Sequence, residues 1–293
     1  MHQRNAMINP PIDVVFLDSY QNFLVLTKDN LRVYNGKNGR LKMYLDNIAD
    51  VNEHTGAVSD MISMTLNSEH RMVYIGDNQG KIRCFNVNTG LLIKKLDLPM
   101  GYQRKNGELS HKINKEVCGM SFFEASEDCQ MLISGHWNNK IRIWDVLDVE
   151  KANHMRSASA QDVFKEDVQC IAVSEHLSLI ATGSIYGNIV VWDFELFKVE
   201  GVFIGSKMAI TAIEFVKDYP LMVSASISGI IQVYAVRGAH RDIKNHTLAR
   251  FINVSRDVDK FANIPITGMS VELTANPRYV PDAEQKGELG TLI

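Results

Sequence analysis

A strand-like phrase ending in an aromatic residue recurs five times along the 293-residue chain, and this repetition constrains the fold more than any other feature. The phrases are Leu31-Arg32-Val33-Tyr34-Asn35, Ile82-Arg83-Cys84-Phe85-Asn86, Ile141-Arg142-Ile143-Trp144-Asp145, Ile189-Val190-Val191-Trp192-Asp193 and Ile231-Gln232-Val233-Tyr234-Ala235. Each alternates apolar with polar or branched residues, the pattern of a half-buried strand. The aromatics Tyr34, Phe85, Trp144, Trp192 and Tyr234 follow one another at spacings of 51, 59, 48 and 42 residues.

Two more apolar phrases precede each of these. The nearer are Phe23–Thr27, Met72–Gly76, Met131–Gly135, Leu179–Gly183 and Leu221–Ala225. The farther are Ile12–Leu17, Val58–Leu66, Val117–Phe122, Val168–Val173 and Ile210–Phe215. A fourth phrase follows in places, as Leu41–Leu45 after Asn38-Gly39 and Leu91–Leu96 after Thr89-Gly90, with glycine supplying the positive φ of a tight hairpin. Four-stranded units repeating at this period predict an all-β chain, a β-propeller of four-stranded blades. The expected blades run over 12–45, 54–96, 111–158, 168–204 and 210–255, with a partial sixth over 264–293 and an N-terminal segment over 1–11. Ile266-Thr267-Gly268-Met269-Ser270-Val271, which opens the sixth, echoes Val117-Cys118-Gly119-Met120-Ser121-Phe122. Five blades and a fragment predict an incomplete ring, closed by further sequence or by another chain, because an open ring leaves sheet faces and an edge uncovered.

Trp144-Asp145 and Trp192-Asp193 match the signature dipeptide of the WD-repeat family, and His54-Thr55-Gly56-Ala57-Val58 resembles the stretch that opens its repeats. The resemblance extends from Ile12 to about Val271, and it implies a propeller that docks other proteins. The departures are Tyr34-Asn35, Phe85-Asn86 and Tyr234-Ala235 in place of the dipeptide. Where the family places a structural Asp, six residues before the aromatic, stand Lys28, Gln79, Asn138, Tyr186 and Ser228. The family's Asp–His–Ser–Trp hydrogen-bond network is therefore expected to be incomplete in every blade, with aromatic packing carrying more of the stability. The stretch from Ser178 through Trp192-Asp193-Phe194-Glu195 also resembles WD-repeat proteins of cilia and flagella.

A net charge of −3 gives no basic footprint for nucleic acid. The longest apolar runs fall far short of the ~20 residues that cross a bilayer, and the polar start Met1-His2-Gln3-Arg4-Asn5 has no signal-peptide core. Cys84, Cys118, Cys129 and Cys170 are too few and too scattered for a disulfide scaffold and read as reduced thiols of a cytoplasmic protein, with a lean to the cilium or axoneme from the second resemblance. The sequons at Asn245 and Asn253 are read as chance matches in that compartment.

No motif in the sequence brings catalytic chemistry. Gly76-Asp77-Asn78-Gln79-Gly80-Lys81 is one residue short of a phosphate-binding loop and joins two strands. Gly183-Ser184-Ile185-Tyr186-Gly187 sets its serine one place too early for a nucleophile elbow. Asp257-Val258-Asp259 lacks the remaining ligands of a calcium loop, and the nine histidines are not paired as a zinc site needs. No metal and no cofactor is expected, and an enzyme is a distant third reading.

The sharpest functional signal is one turn position. Seven residues before the blade aromatic stand Asn78, Trp137, Ile185 and Ile227. Tight turns are ordinarily polar, yet three successive blades carry a large apolar residue there, with Tyr186 beside one of them. Trp137, Ile185, Tyr186 and Ile227 are the candidate protein-binding residues, since contiguous exposed apolar surface marks interaction sites. The polar insertions Asp97–Glu116, Asp148–Asp167 and Gly238–Thr247 are read as connections, the first two flanking that rim. The function expected is a non-catalytic interaction scaffold in a multi-subunit assembly. The alternative is a reader of a modified peptide on its top face, for which the turns offer only Lys28 and Lys81.

Overall fold

Alternation at period two makes strands, and Gly, Asn and Asp between them make the turns, so that the chain folds back on itself after each strand of a sheet. The computed structural model describes residues 9–46, 48, 49, 51, 56, 58–96, 116–126, 129–137, 140–147, 153–159, 166–236, 247–253 and 265–271. Among them the strands form five four-stranded antiparallel sheets, each in simple meander order. Sheet one is β1 (Asp13–Leu17), β2 (Asn22–Leu26), β3 (Leu31–Asn35) and β4 (Leu41–Leu45). Sheet two is β5 (Met61–Leu66), β6 (Met72–Asp77), β7 (Ile82–Asn86) and β8 (Leu92–Leu96). Sheet three is β9 (Val117–Ser126), β10 (Cys129–His136), β11 (Lys140–Asp145) and β12 (Asn153–Ser159). Sheet four is β13 (Val168–Ser174), β14 (Leu179–Ser184), β15 (Asn188–Asp193) and β16 (Lys198–Ile204), and sheet five is β17 (Ile210–Phe215), β18 (Leu221–Ser226), β19 (Ile230–Ala235) and β20 (Thr247–Asn253). The chain divides into two compact units, residues 1–168 and 169–293. No helix among the described residues is long and apolar enough to cross a membrane.

The five aromatics hold one register. Tyr34, Phe85, Trp144, Trp192 and Tyr234 lie opposite Phe23, Val73, Leu132, Ile180 and Met222 on the second strand of each sheet. In all five sheets a β-bulge falls between the aromatic and the residue before it, where the third strand meets the fourth. An extra residue on one strand at that point bends it and raises the local twist.

Two differences from the sequence reading concern polar stretches. The insertion at 148–167 is not all connection, because Asn153–Ser159 pairs with β11 as the fourth strand of sheet three. The first strand of sheet two starts at Met61 rather than Val58, since Val58 is engaged in an isolated bridge to Val51. Residues 97–115 and 238–246 lie outside the described residues, as do 257–260.

Packing between sheets is apolar and directional. In the first unit, Phe85 of sheet two is buried with Leu17, Leu24, Leu26 and Val33 of sheet one. Trp144 of sheet three is buried with Tyr74, Ile82 and Cys84 of sheet two. In the second unit, Tyr234 of sheet five is buried with Leu179, Ile189 and Val191 of sheet four and meets Phe203 edge-on at 4.9 Å. Phe85, Trp144 and Tyr234 thus each pack onto the sheet before their own.

The close approach of successive sheets rests on a glycine in the second strand. A Cβ on Gly76 would stand 2.6 Å from the Val117 Cβ, and one on Gly183 would stand 2.8 Å from the Ile210 Cβ and 2.7 Å from the Cys170 sulfur. Beside them the Ser63 hydroxyl donates to the Val117 carbonyl at 2.7 Å, and the Cys170 thiol to the Ile210 carbonyl at 3.5 Å. Burial pushes the Cys170 thiol up to about 12 and the Cys84 thiol up to about 11, which keeps both in the thiol form at neutral pH. Gly183→Val should cost about 1–3 kcal/mol by overpacking this contact. Urea unfolding reads it, and an unchanged midpoint would mean that sheet five is free to move away from sheet four.

Past β20, residues 265–271 follow the face of sheet five without entering a strand ladder. The Thr211 hydroxyl donates to the Ile266 carbonyl at 2.5 Å, the Val271 amide donates to Glu214 Oε2 at 2.8 Å, and Met269 and Val271 pack against Val216, Leu221, Val223 and Val233. That is the place a first strand of the next sheet takes in the repeats before it.

The polar braces differ from sheet to sheet. The Trp144 indole donates to the Ser134 hydroxyl at 3.0 Å, and that hydroxyl lies 2.9 Å from His136 Nε2. The Trp192 indole donates to Thr182 Oγ1 at 3.1 Å. The tryptophan–hydroxyl limb of the network therefore persists in sheets three and four without the turn Asp, and in sheet three the histidine comes from the end of β10. Sheet two has Phe85 with Ile75 in the hydroxyl's place, and it uses an ion pair instead. Arg83 Nη2 lies 2.7 Å from Asp77 Oδ2 with both side chains buried, and it donates to Ser59 Oγ at 3.3 Å, while Nη1 donates to the carbonyl of Ile48.

Candidate functional site

The turn between second and third strands is built the same way in sheets two, three and five. The backbone N–H of Asn78 donates to the Asp60 carbonyl at 2.9 Å, that of Trp137 to Glu116 at 3.1 Å, and that of Ile227 to Ala209 at 3.0 Å. Each acceptor is the residue immediately before a first strand, so the turn residue is pinned over the start of its own sheet. In sheet two Asp77 caps the turn by accepting from the Gln79 and Lys81 amides, both at 2.9 Å. In sheet four Ser184 Oγ accepts from Tyr186 at 3.3 Å and Asn188 at 3.0 Å. Local side-chain acceptors of this kind satisfy the turn backbone and leave the central side chains outside.

Exposure follows from that arrangement. Tyr186 is 64% exposed, Ile227 41% and Trp137 37%, and Ile185 is half-buried. Trp137 belongs to the first unit; Ile185, Tyr186 and Ile227 belong to the second. Within the second unit the connection after β16 joins their two turns. The Gly187 carbonyl accepts from the Gly205 and Ser206 amides, both at 3.0 Å, and Ser206 Oγ lies 3.3 Å from Ser228 Oγ. Gly187 has φ +92°, and any side chain there would run into the Ser206 and Met208 carbonyls. The same connection presents Ile204, 82% exposed, and Met208, 51% exposed. Neither was singled out in the sequence, because Ile204 ends a strand and Met208 follows the polar run Gly205-Ser206-Lys207. A large apolar residue on each side of a Gly-Ser turn was the available signal.

Lys28 pairs with Asp60 at 3.0 Å. Among the described residues, no group of three or more His, Cys, Asp or Glu side chains is placed to hold a metal ion.

The family model for the WD domain, G-beta repeat, matches residues 106–145 and 159–193, spanning the third-strand aromatics Trp144 and Trp192. Over those residues the chain carries WD repeats. This WD-repeat chain is 28% identical to Cell division control protein 4 of Candida albicans over 95 residues, which is 32% of the chain and 13% of the relative. It is 28% identical to human Cilia- and flagella-associated protein 52 over 116 residues, 40% of the chain and 16% of the relative. A plant guanine nucleotide-binding protein subunit beta, from Solanum tuberosum, is 26% identical over 119 residues, 41% of the chain and 28% of the relative. The alignments thus take in less than a third of each relative's length. Among solved structures, the Cps50 (Swd1) β-propeller domain of Myceliophteria thermophila superposes with a TM-score of 0.63 at 10% identity, covering 85% of the WD-repeat chain and 73% of that domain. The computationally designed Ika8 protein gives 0.57 at 16% identity, covering 90% of the chain and 65% of Ika8. The fold is an all-β propeller of four-stranded antiparallel sheets.

Proposed function

We propose that this WD-repeat chain is a non-catalytic interaction scaffold in a multi-subunit assembly, and that Trp137, Ile185, Tyr186 and Ile227 contact its partner. The domain it forms spans residues 12–293, with 1–11 as a leading segment. WD-repeat propellers in general dock proteins rather than catalyse reactions, and the turns of this one carry exposed apolar side chains on a pinned backbone. The observation that carries the reading is Tyr186, an aromatic 64% exposed in a turn that hydrogen bonds to Ser184 and Gly187 hold in place. Aromatic anchors of this kind dominate binding energy at interfaces. The likeness to a cilia- and flagella-associated protein supports an assembly of the ciliary cytoskeleton.

The rim reading is tested by partner recovery. A Trp137→Ala/Tyr186→Ala double variant should recover at least about tenfold less partner from native extract, because truncating anchors costs about 2 kcal/mol or more. Equal recovery by the folded variant would end the assignment of this rim.

A further inference from the structure

In the second unit, small residues meet at a centre that large apolar ones surround. The Gly187 carbonyl accepts from the Gly205 and Ser206 amides, and Ser206 Oγ lies 3.3 Å from Ser228 Oγ. Two turns and the connection after β16 therefore share a floor of Gly187, Gly205, Ser206 and Ser228. A Cβ on Gly187 would stand 2.0 Å from the Ser206 carbonyl oxygen, and one on Gly205 would stand 2.8 Å from the Gly187 carbonyl oxygen, so the floor stays low. Tyr186, Ile204, Met208 and Ile227, each within two residues of a floor residue, are all exposed. Short residues ringed by long exposed ones make a shallow apolar depression.

Two properties of this depression define what covers it. The first is its main chain. The amides of Tyr186, Gly187, Gly205, Ser206, Met208 and Ile227 all donate to acceptors within residues 184–188 and 204–209. An extended peptide laid across them finds none of these amides free for its carbonyls, and covering unpaired backbone is costly. A helix brings its main chain already bonded. The second property is charge. Residues 184–188, 204–209 and 226–229 contain one charged side chain, Lys207, which is exposed and has no ion pair among the described residues. A second copy of the chain would bring no carboxylate from these segments to Lys207. One lysine is also far short of the basic cluster that holds a protein to an anionic membrane. An amphipathic helix with an acidic residue at the border of its apolar face meets both conditions.

We propose that the depression seats one such helix of a partner protein, its apolar face over Tyr186, Ile204, Met208 and Ile227 and its carboxylate on Lys207. This rests on the reading of Tyr186 and Ile227 as partner contacts and gives that partner its form. A benzophenone amino acid at Tyr186, and separately at Ile204, tests it in cells that make the protein in its own assembly, with crosslinked peptides identified by mass spectrometry. Both probes should mark the same partner helix, within two turns of an Asp or Glu. Lys207→Glu should lower the yield on the order of fivefold with an unaltered thermal melt. Exchanging the helix's acidic residue for Lys should then restore most of it, because the pair is rebuilt with its signs reversed. A crosslink from Ile204 to an extended segment, to lipid or to a second copy of the chain would overturn the helix while leaving the rim at Tyr186 in place. So would crosslinks from Tyr186 alone. A yield unchanged by Lys207→Glu, or a charge exchange that restores nothing, would overturn the role of Lys207. No crosslink from either probe would end the rim reading as well.

Discussion

Trp144→Ala lowers stability by about 3–5 kcal/mol, the range for removing a large buried aromatic. The indole is fully buried between sheets two and three, and its loss empties a site lined by Tyr74, Ile82, Cys84, Met120 and Leu132. The same change withdraws the donor to Ser134, leaving that hydroxyl to His136 alone among the brace residues. Trp144→Phe keeps most of the packing and loses the hydrogen bond, so it should cost a clear fraction of the alanine variant. Chemical unfolding of both variants separates the two contributions. A cost below about 1 kcal/mol for Trp144→Ala would show that the sheets close over the gap.

Asp77→Ala is expected to be as severe, again about 3–5 kcal/mol, for an electrostatic reason. It strands the Arg83 guanidinium, buried against Ser59 and the Ile48 carbonyl, without its carboxylate at 2.7 Å. It also removes the acceptor that caps the Gln79 and Lys81 amides. Desolvation raises the Asp77 pKa, and the capping amides and Arg83 pull it back down, so the carboxylate depends on those partners to stay charged. Replacing both members, Asp77→Ala with Arg83→Met, should recover part of the loss, because a buried pair exchanged for apolar volume is often neutral. A double variant no better than Asp77→Ala would place the damage in the turn cap rather than in the stranded charge.

How much of this was legible depended on whether the physical signal was local in sequence. Strand alternation and the aromatic register are local, so the phrases around Tyr34, Phe85, Trp144, Trp192 and Tyr234 marked equivalent third strands correctly. β12 was hidden because Asn-His-Met-Arg-Ser-Ala-Ser has no apolar alternation, and it pairs only because β11 offers it an edge. The Asp77–Arg83 pair spans a turn, and neither residue type belongs in a core until the other is placed beside it. The Trp–hydroxyl limb does not depend on the turn Asp, because Ser134 and Thr182 each stand ten residues before their tryptophan, on the strand that pairs with its own. At the candidate rim the turn residues were readable from spacing, but Ile204 and Met208 join it only through the hydrogen bonds that Gly187 makes to the next connection.

The bulge that recurs beside every third-strand aromatic has a consequence for how this protein can aggregate. Outermost strands offer unpaired main-chain groups to any passing extended peptide, and a flat edge would template fibrillar growth. Bending β4, β8, β12, β16 and β20 at the same register spoils that template in all five sheets at once. Lateral strand capture is thereby disfavoured at the fourth strand of each sheet, and association is steered to side-chain surfaces, whose partners are chosen by shape and chemistry rather than by backbone alone.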